Sequence, residues 1–321
     1  MLRKSRRNTI EEKTLNDWFL EQKKMLKLCY IVIGSLPEMC RQQLIENLKR
    51  DAAKGGDVCL IDLGRDDDLC RFETAQSIFI SENVQELRAA SALSMAALGY
   101  LAPAGGEETA QKTEGEAFAQ EGQEADVTMW AEGFEEVGLS FLTRVYERHH
   151  GLPWTILITE RCVVKEFSMD YLDALFELYE GEGMTEYIEP LYPYEQEKEY
   201  QQAYIRHMYG FYGYGMWIVC DKETGALIGR AGLEHREELN GAIELGYAIG
   251  VPYQKKGIAT EVCTAILNYA KEELGQSEIY CLIEPENRLS VHFAKKLGFS
   301  FAGIEQVGGK AMEKYRKQLN D

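Results

Sequence analysis

Residues 254–260 (QKKGIAT) combine small residues, two lysines and the start of a helical pattern. A helix N-terminus carries unpaired backbone N–H groups and roughly half a positive charge, so it attracts anions. Gly257 lets the backbone approach a ligand without a Cβ, Ala259 is nearly as small, and Lys255 and Lys256 add positive charge. The pattern is typical of a turn that binds a pyrophosphate. The alternative is a plain strand-to-helix loop with two solvated lysines.

Titratable side chains lie on the two strand-like segments that precede this turn. Glu244 is in IELGY, and Glu234 and His235 are in RAGLEHRE. A carboxylate or an imidazole on a strand can act as a general base. The alternatives are a polar residue on a half-exposed strand face for Glu244 and a solvated or capping histidine for His235.

The elements around these residues follow a definite order from residue 161 onward. RCVVKEFS predicts a strand, and MDYLDALFELYE and KEYQQAYIRHMYGFYG predict two helices. MWIVC and ALIGRAGL predict a hairpin around DKETG. A fourth strand (GAIELGYAIG), the turn, a helix, a strand and a last helix that ends at Gly298 follow.

Several motifs in this order resemble the GNAT superfamily of N-acetyltransferases, and in particular its RimJ/RimL-like branch. They are LIGRAGL, IELGYAIG, the Q-x-x-G-x-A of QKKGIA, IYCLIEPENRLS and KKLGF. The resemblance covers residues 159–315. It implies an α/β fold with a mixed, mostly antiparallel central sheet and flanking helices. It also implies an acetyl-CoA-dependent enzyme that acetylates a primary amine by direct attack.

The resemblance assigns acetyl-CoA to the splayed strand, the turn and the start of the last helix. The strand backbone would bind the pantetheine arm, the turn amides would bind the pyrophosphate, and Asn287 would contact the pantetheine or the thioester. The residues that the resemblance implies for this site are Tyr247, Ile249, Val251, Gln254, Lys255, Lys256, Gly257, Ile258, Ala259, Thr260 and Asn287.

An amine with a pKa near 10 is protonated at neutral pH, so a base must remove a proton before attack. Glu244 stands where the family often has a carboxylate base, and Glu234 and His235 are the second choices. The tyrosine that many members use to protonate the leaving thiolate falls on Ala294, and Ser290 is a substitute donor. This gap keeps a second hypothesis open, a CoA-binding sensor or interaction module without turnover.

Glutamates and tyrosines alternate over residues 181–217, which hold the two helices that should cover the acceptor. Acidic groups and aromatic rings favour a cationic amine, either a protein N-terminus or a small cationic compound. The alternative is that the rings form core and the glutamates a solvated face.

The N-terminal half alternates strand and helix patterns, which predicts a small α/β domain with a parallel sheet. We predict two domains, 1–150 and 151–321, with a flexible acidic insertion at 103–125 in the first. Asp62 ends the apolar run VCLIDL, but Gly64 stands where a haloacid-dehalogenase-like phosphatase has its second aspartate. A degenerate relative of that fold and a plain accessory domain are both open.

Composition excludes several classes. The net charge of −18 argues against a nucleic-acid binder. No apolar run reaches the roughly 18 residues of a membrane span. The eight cysteines form no C-x-x-C pair and predict neither a disulfide framework nor a metal site. We therefore expect a cytoplasmic protein, and the oligomeric state stays open.

Overall fold

The computed structural model describes residues 26–53, 58–63, 69, 72–102, 127–239 and 241–319. The predicted acidic insertion and Gly64 lie outside these ranges. Within the described ranges, no helix is long and apolar enough to cross a membrane. The same ranges contain no group of three or more His, Cys, Asp or Glu side chains that could hold a metal ion.

The N-terminal half contains a five-stranded sheet in the order β2-β1-β3-β4-β5. Every pairing in it is parallel, which confirms the predicted parallel sheet with helices. The elements are β1 (Tyr30–Ile33), α1 (Glu38–Ala52), β2 (Cys59–Asp62), β3 (Ser77–Ser81), α2 (Val84–Ala92), β4 (Ala96–Tyr100), β5 (Met129–Ala131) and α3 (Leu139–His149). Strands β3 and β4 are buried along their whole length, as is usual when both faces of a parallel sheet are covered.

The C-terminal half contains an eight-stranded mixed sheet in the order β12-β13-β11-β10-β9-β8-β7-β6. Its elements are β6 (Thr155–Ile158), β7 (Cys162–Lys165), α4 (Leu172–Tyr179), α5 (Tyr194–Tyr204), β8 (Met216–Asp221), β9 (Leu227–Arg236), β10 (Ala242–Ile249), α6 (Ile258–Glu272), β11 (Glu278–Ile283), α7 (Arg288–Lys296), β12 (Ser300–Val307) and β13 (Lys310–Gln318). The mixed, mostly antiparallel sheet with flanking helices confirms the predicted fold class.

The sequence order predicted above missed two parts of this sheet. Strand β6 precedes the first predicted strand, and the hairpin β12–β13 follows the last predicted helix. Both lie at the edges of the sheet. The β12–β13 hairpin is largely exposed and has no continuous apolar run, and β6 is a largely apolar run of only four residues, which is too short to identify a strand by itself. The boundary at residue 150 stays a prediction, and the two sheets lie on either side of it.

Strands β10 and β11 diverge soon after they meet. They are parallel neighbours, yet their register contains one paired position, Glu244 with Tyr280. On its other side β10 pairs with β9 along its whole length, from Ala242 to Ile249. The second half of β10 therefore has one edge that is not occupied by β11.

Helix α5 changes its hydrogen-bonding pattern part-way. The segment predicted as one helix is an α-helix up to Tyr204 and a π-helix over Ile205–Tyr212. It ends at Gly213, whose φ of +76° suits a glycine C-cap. Side-chain periodicity at the sequence level does not distinguish a π-helical end from an α-helical one.

Candidate active site

The turn before α6 is held in a left-handed conformation. Gly257 is the N-cap residue with φ +81°, and Lys255 also has a positive φ of +59°. Gln254 donates its side-chain amide to the carbonyl of Ile249 at 2.9 Å. A Cβ on Gly257 would find ordinary space, 3.5 Å from the nearest side-chain atom of Arg161. The backbone conformation, and not crowding, is therefore what favours glycine here.

Arg161 fixes the same turn from the neighbouring strand connection. Its Nη1 donates to the carbonyl of Lys256 at 2.9 Å, and its Nε donates to the carboxylate of Glu261 at 2.7 Å. That carboxylate also accepts the Arg161 backbone N–H at 2.8 Å. The turn is consequently rigid on its inner side, while Gln254, Lys255, Lys256 and Gly257 are exposed on the outer side.

No side chain caps α6, whose first-turn N–H groups lack a capping partner among the described residues. Helix α7 differs, because Asn287 accepts the N–H of Ser290 at 3.1 Å. Lys296 lies at the rim of the α6 start, 3.2 Å from the hydroxyl of Thr260. A helix start with unsatisfied donors, a preceding glycine and three nearby ammonium groups fits a pyrophosphate.

Glu244 lies where β10 and β11 begin to separate. It is 8% exposed. One of its oxygens accepts from the Nε of Arg236 at 2.5 Å, and the other accepts the backbone N–H of Leu282 in β11 at 3.3 Å. Burial raises the pKa of Glu244; Arg236 opposes this effect, and the neighbouring Glu234 adds to it. The carboxylate therefore has a higher proton affinity than an exposed glutamate.

Arg236 joins two of the predicted candidates. Glu234 and Glu244 are directly opposite each other in the antiparallel register of β9 and β10, so their side chains share one face. The Nη2 of Arg236 donates to Glu234 at 3.0 Å while its Nε donates to Glu244. The sequence analysis did not select Arg236. Its position two residues after Glu234 on a strand was the available signal, because side chains at i and i+2 share a face.

His235 is separated from this pair. Its register partner is Ile243, and neighbouring residues on a strand point to opposite faces of the sheet. The imidazole stacks on Tyr212 with the ring centroids 4.6 Å apart, and its Nδ1 is 3.5 Å from the hydroxyl of Tyr214. Of the three predicted bases, the structure therefore brings together Glu234 and Glu244. The role of His235 stays a prediction without this support.

The predicted proton-donor region centres on the first turn of α7. Tyr247, on β10, donates its hydroxyl to the carbonyl of Ser290 at 3.4 Å and packs edge-on against Phe293 at 4.8 Å. Ala294 is fully buried, and Ser290 is partly exposed. Asn287 serves as the helix cap, and its predicted contact with the thioester stays a prediction.

The divergent strands, the open helix start and the turn all lie within one matched segment. Residues 161–300 match the family model described as "Acetyltransferase (GNAT) domain". Residues 161–300 form a GNAT acetyltransferase domain. The chain is therefore an acyltransferase, as predicted, and its co-substrate is acetyl-CoA.

Two curated relatives and one solved structure illustrate the likeness. The uncharacterized N-acetyltransferase p20 of Bacillus licheniformis is 26% identical over 51% of this chain and 94% of its own length. The spermidine N(1)-acetyltransferase of Escherichia coli is 28% identical over 35% of this chain and 58% of its own length. The RimL ribosomal L7/L12 α-N-protein acetyltransferase, solved with coenzyme A, is 15% identical with a TM-score of 0.45, covering 51% of this chain and 98% of that one.

Helix α5 belongs to the segment that the sequence predicts to cover the acceptor, and it contacts Glu234 of β9. Glu197 and Gln201 are buried on α5, and the amide of Gln201 donates to Glu197 at 2.6 Å. The carbonyl oxygen of Gln201 is buried and has no hydrogen-bond partner among the described residues. Tyr204 completes this face, because its hydroxyl donates to Glu234 at 3.4 Å. Glu197, from the predicted acidic and aromatic segment, thus lies on α5 with Tyr204, and the cationic character of the acceptor stays a prediction.

The haloacid-dehalogenase-like interpretation of the N-terminal half is not supported. The family match begins at residue 161 and does not reach this half. Asp62, the predicted remnant of a nucleophile, lies on the edge strand β2 and forms an ion pair with Arg41. An ion pair with an arginine at a half-exposed edge is a common surface interaction and does not require a catalytic role.

Proposed function

We propose that this protein transfers the acetyl group of acetyl-CoA to a cationic primary amine, with Glu244 as the general base. The observation that carries the proposal is the position of Glu244. It is a buried carboxylate at the single paired position from which β10 and β11 diverge. Beyond that position the free edge of β10 offers backbone N–H and C=O groups, which an extended amide-containing chain can pair with.

The residues that would hold acetyl-CoA lie along β10 and at the turn that follows it. Backbone groups of Tyr247, Ile249 and Val251 would bind the pantetheine amides, and the N–H groups at the start of α6 would bind the pyrophosphate. Lys255 and Lys256 would neutralise part of its charge. When bound, acetyl-CoA supplies an acetyl group activated as a thioester. Everything else in the reaction is the movement of two protons and the orientation of the amine.

Glu244 suits the first proton movement. The ammonium form of the acceptor has no lone pair, so one proton must leave before nitrogen can attack the acetyl carbonyl. A carboxylate whose pKa is raised by burial holds that proton better than an exposed one does. Arg236 opposes this rise in pKa and orients the carboxylate through its hydrogen bond. A water between Glu244 and the amine would extend its reach.

The second proton goes to the sulfur that leaves. Ala294 provides no hydroxyl at the usual tyrosine position, so another donor is needed. The hydroxyl of Ser290, in the first turn of α7, is our candidate relay: it would give its proton to the sulfur and regain one from the attacking nitrogen as the amide forms. Tyr247 approaches the same turn through its contact with the Ser290 carbonyl, and burial raises the pKa of its phenol, which keeps it protonated.

The acceptor face favours a positively charged amine. Glu197 lies on α5 among its tyrosines, Tyr204 contacts Glu234, and the rings of Tyr192 and Tyr200 lie 5.5 Å apart with their planes tilted by 60°. Carboxylates and aromatic faces both attract ammonium groups. The E. coli relative named as a spermidine acetyltransferase and the RimL structure named for a ribosomal protein support small polyamines and protein N-termini as the two classes to compare.

The test has a binding arm and a turnover arm. Acetyl-CoA is first titrated into the full chain by calorimetry, with desulfo-CoA and ATP as comparison ligands. Release of free thiol is then followed with spermidine, with an N-terminal peptide and with the same peptide blocked at its amine. Turnover that requires a free amine supports the proposal. Tight binding of acetyl-CoA with no turnover of any amine contradicts the proposal and favours a CoA sensor. That alternative agrees with the buried Ala294 at the position of the usual proton-donating tyrosine.

A further inference from the structure

Arg148 lies at the junction between the two halves of the molecule. It belongs to the last turn of α3, and its guanidinium forms a two-pronged ion pair with Glu166, just after β7. The side chains are 5% and 2% exposed. The indole of Trp154 lies under the guanidinium at 3.7 Å from the ring centroid. This is a fully buried charge pair that joins the parallel-sheet half to the GNAT domain.

The ion pair does not use all of the donors of Arg148. Its Nη1 donates to the carbonyl of Tyr209 at 2.9 Å, inside the π-helix that extends α5. The π-helix also approaches β5 closely, because a Cβ on Gly210 would lie 3.1 Å from the carbonyl of Thr128. Phe211 packs against the apolar cluster of the N-terminal half. The N-terminal half thus holds the π-helix in place by several contacts.

Hydrogen bonds continue from this anchor to the acceptor face. The hydroxyl of Tyr209 accepts the N–H of Phe167 at 3.2 Å and donates to the carbonyl of Met216 at 2.6 Å. The N–H of Met216 donates to the hydroxyl of Tyr204 at 2.6 Å, and Tyr204 donates to Glu234. Each link is between buried or partly buried groups, where few waters compete with it.

We propose that Arg148 is a positioning residue for acetyl transfer. By binding the Tyr209 carbonyl, it fixes the π-helix and, through Tyr204, the orientation of Glu234 beside Arg236 and Glu244. The inference rests on the proposed function, because it concerns the same carboxylates. It gives the N-terminal half a definite task, which is to order the acceptor side of the GNAT domain.

A buried ion pair between the two halves would not require the additional bond from Arg148 to the carbonyl of Tyr209. If Arg148 only tied the two halves together, the bond to Glu166 and the stacking on Trp154 would be sufficient. A π-helix is rare and mostly limited to a single turn, so an external donor to one of its carbonyls helps to define its position. The distinction can be tested, because the two roles affect different parts of the GNAT domain.

The test compares two variants of the full chain. In R148M/E166M the buried pair is replaced by apolar side chains of similar length, since removal of one partner alone would leave an uncompensated buried charge. The matched control is R144M. Arg144 lies one turn earlier on α3 and also stacks on Trp154, at 4.1 Å, but among the described contacts it does not bond to the π-helix. Hydrogen exchange, acetyl-CoA affinity and steady-state kinetics are measured for both.

We expect R148M/E166M to speed amide exchange over residues 205–216 and to lower kcat/KM for the amine about 10- to 100-fold, while acetyl-CoA affinity stays within twofold. R144M should resemble the parent protein in all three. Equal exchange and equal kinetics in the two variants overturn the proposal, as does an equal loss of acetyl-CoA binding and amine turnover. If the parent protein turns over no amine, the proposed function fails on its own, and hydrogen exchange still decides whether Arg148 orders the π-helix.

Discussion

In both sheets, strands end beside backbone groups that could bind an anion, but these groups have an internal partner in one sheet and none among the described residues in the other. In the five-stranded sheet, β1 and β3 meet where the strand order reverses, which is the usual position of a ligand site in open parallel sheets. Glu86 fills it. Its carboxylate accepts the N–H of Ser35 at 2.9 Å, the hydroxyl of Ser35 at 2.7 Å and the hydroxyl of Ser81 at 2.6 Å.

At the start of α6 the corresponding donors are not used in this way. The turn has a left-handed glycine and no capping side chain, and its outer surface is exposed. A strand–turn–helix unit is available to bind an anion when its backbone donors have no internal acceptor. In the N-terminal half a glutamate already occupies that role, which agrees with a supporting domain that lacks a phosphate site of its own at this position.

The largest effect should come from Glu244, where β10 and β11 diverge. We expect E244Q to lower kcat at neutral pH by about 100-fold or more, because a general base contributes that much and glutamine cannot accept the proton. Acetyl-CoA affinity should change little. E305Q is a matched control, since Glu305 lies on the outer strand β12 and pairs with Lys314. A rate for E244Q within twofold of the control would remove Glu244 from the base role.

Substitution of Gly257, in the turn before α6, should give the second largest effect. We expect G257V to weaken acetyl-CoA binding about tenfold or more, since a β-branched residue disfavours φ +81° and would displace the turn. The control is G275V, near the other end of α6, where φ is +63° and nothing lies within 4 Å of a new Cβ. Both variants carry similar backbone strain. Equal affinities in calorimetry would show that the turn does not bind the co-substrate.

A smaller effect should appear in the pH profile. Activity requires ionised Glu244, so kcat/KM should fall as the pH drops through a pKa above the ordinary glutamate value of 4.5. Arg236 lowers that pKa, and R236M should therefore move the acid limb to higher pH, with about a tenfold loss per pKa unit below the limb. The pH dependence of kcat/KM is measured at amine concentrations well below KM. If the acid limb of R236M lies at the same pH as that of the parent protein, Arg236 does not influence the pKa of the catalytic base.

The smallest kinetic effect should follow from a change in the filled site. E86Q should lower the free energy of unfolding by about 1–2 kcal/mol, because three donors lose a charged acceptor. Burial alone would raise the pKa of Glu86, but the N–H of Ser35 and the two hydroxyls hold it below its ordinary value. The stability difference should therefore be present above pH about 4.5 and be lost as the pH falls through that lowered pKa. Amine turnover of E86Q should not change. A strong loss of turnover would contradict the view that the edge of the five-stranded sheet is structural and that the reaction takes place in the C-terminal half.

Much of the site could be predicted because its signals are local. Gly257 and the following helix pattern lie within a few residues, and glycine is nearly obligatory where φ is strongly positive. Strand alternation similarly placed Glu234 and Glu244 on strands. The position of His235 could not be predicted in this way. The face of the sheet to which it points depends on strand register, and a shift of one residue moves every side chain to the other face.

Local sequence is sufficient to predict the class of most elements, the position of the turn before α6 and the type of chemistry that its residues can support. These properties depend on backbone preferences and on periodicity along the chain. Only the tertiary structure decided that Arg236 bridges two carboxylates and that Glu86 closes the first sheet edge. It alone joined Arg148 to a carbonyl 61 residues away in the π-helix. Such contacts depend on the relative placement of distant elements, on which local pattern has no bearing.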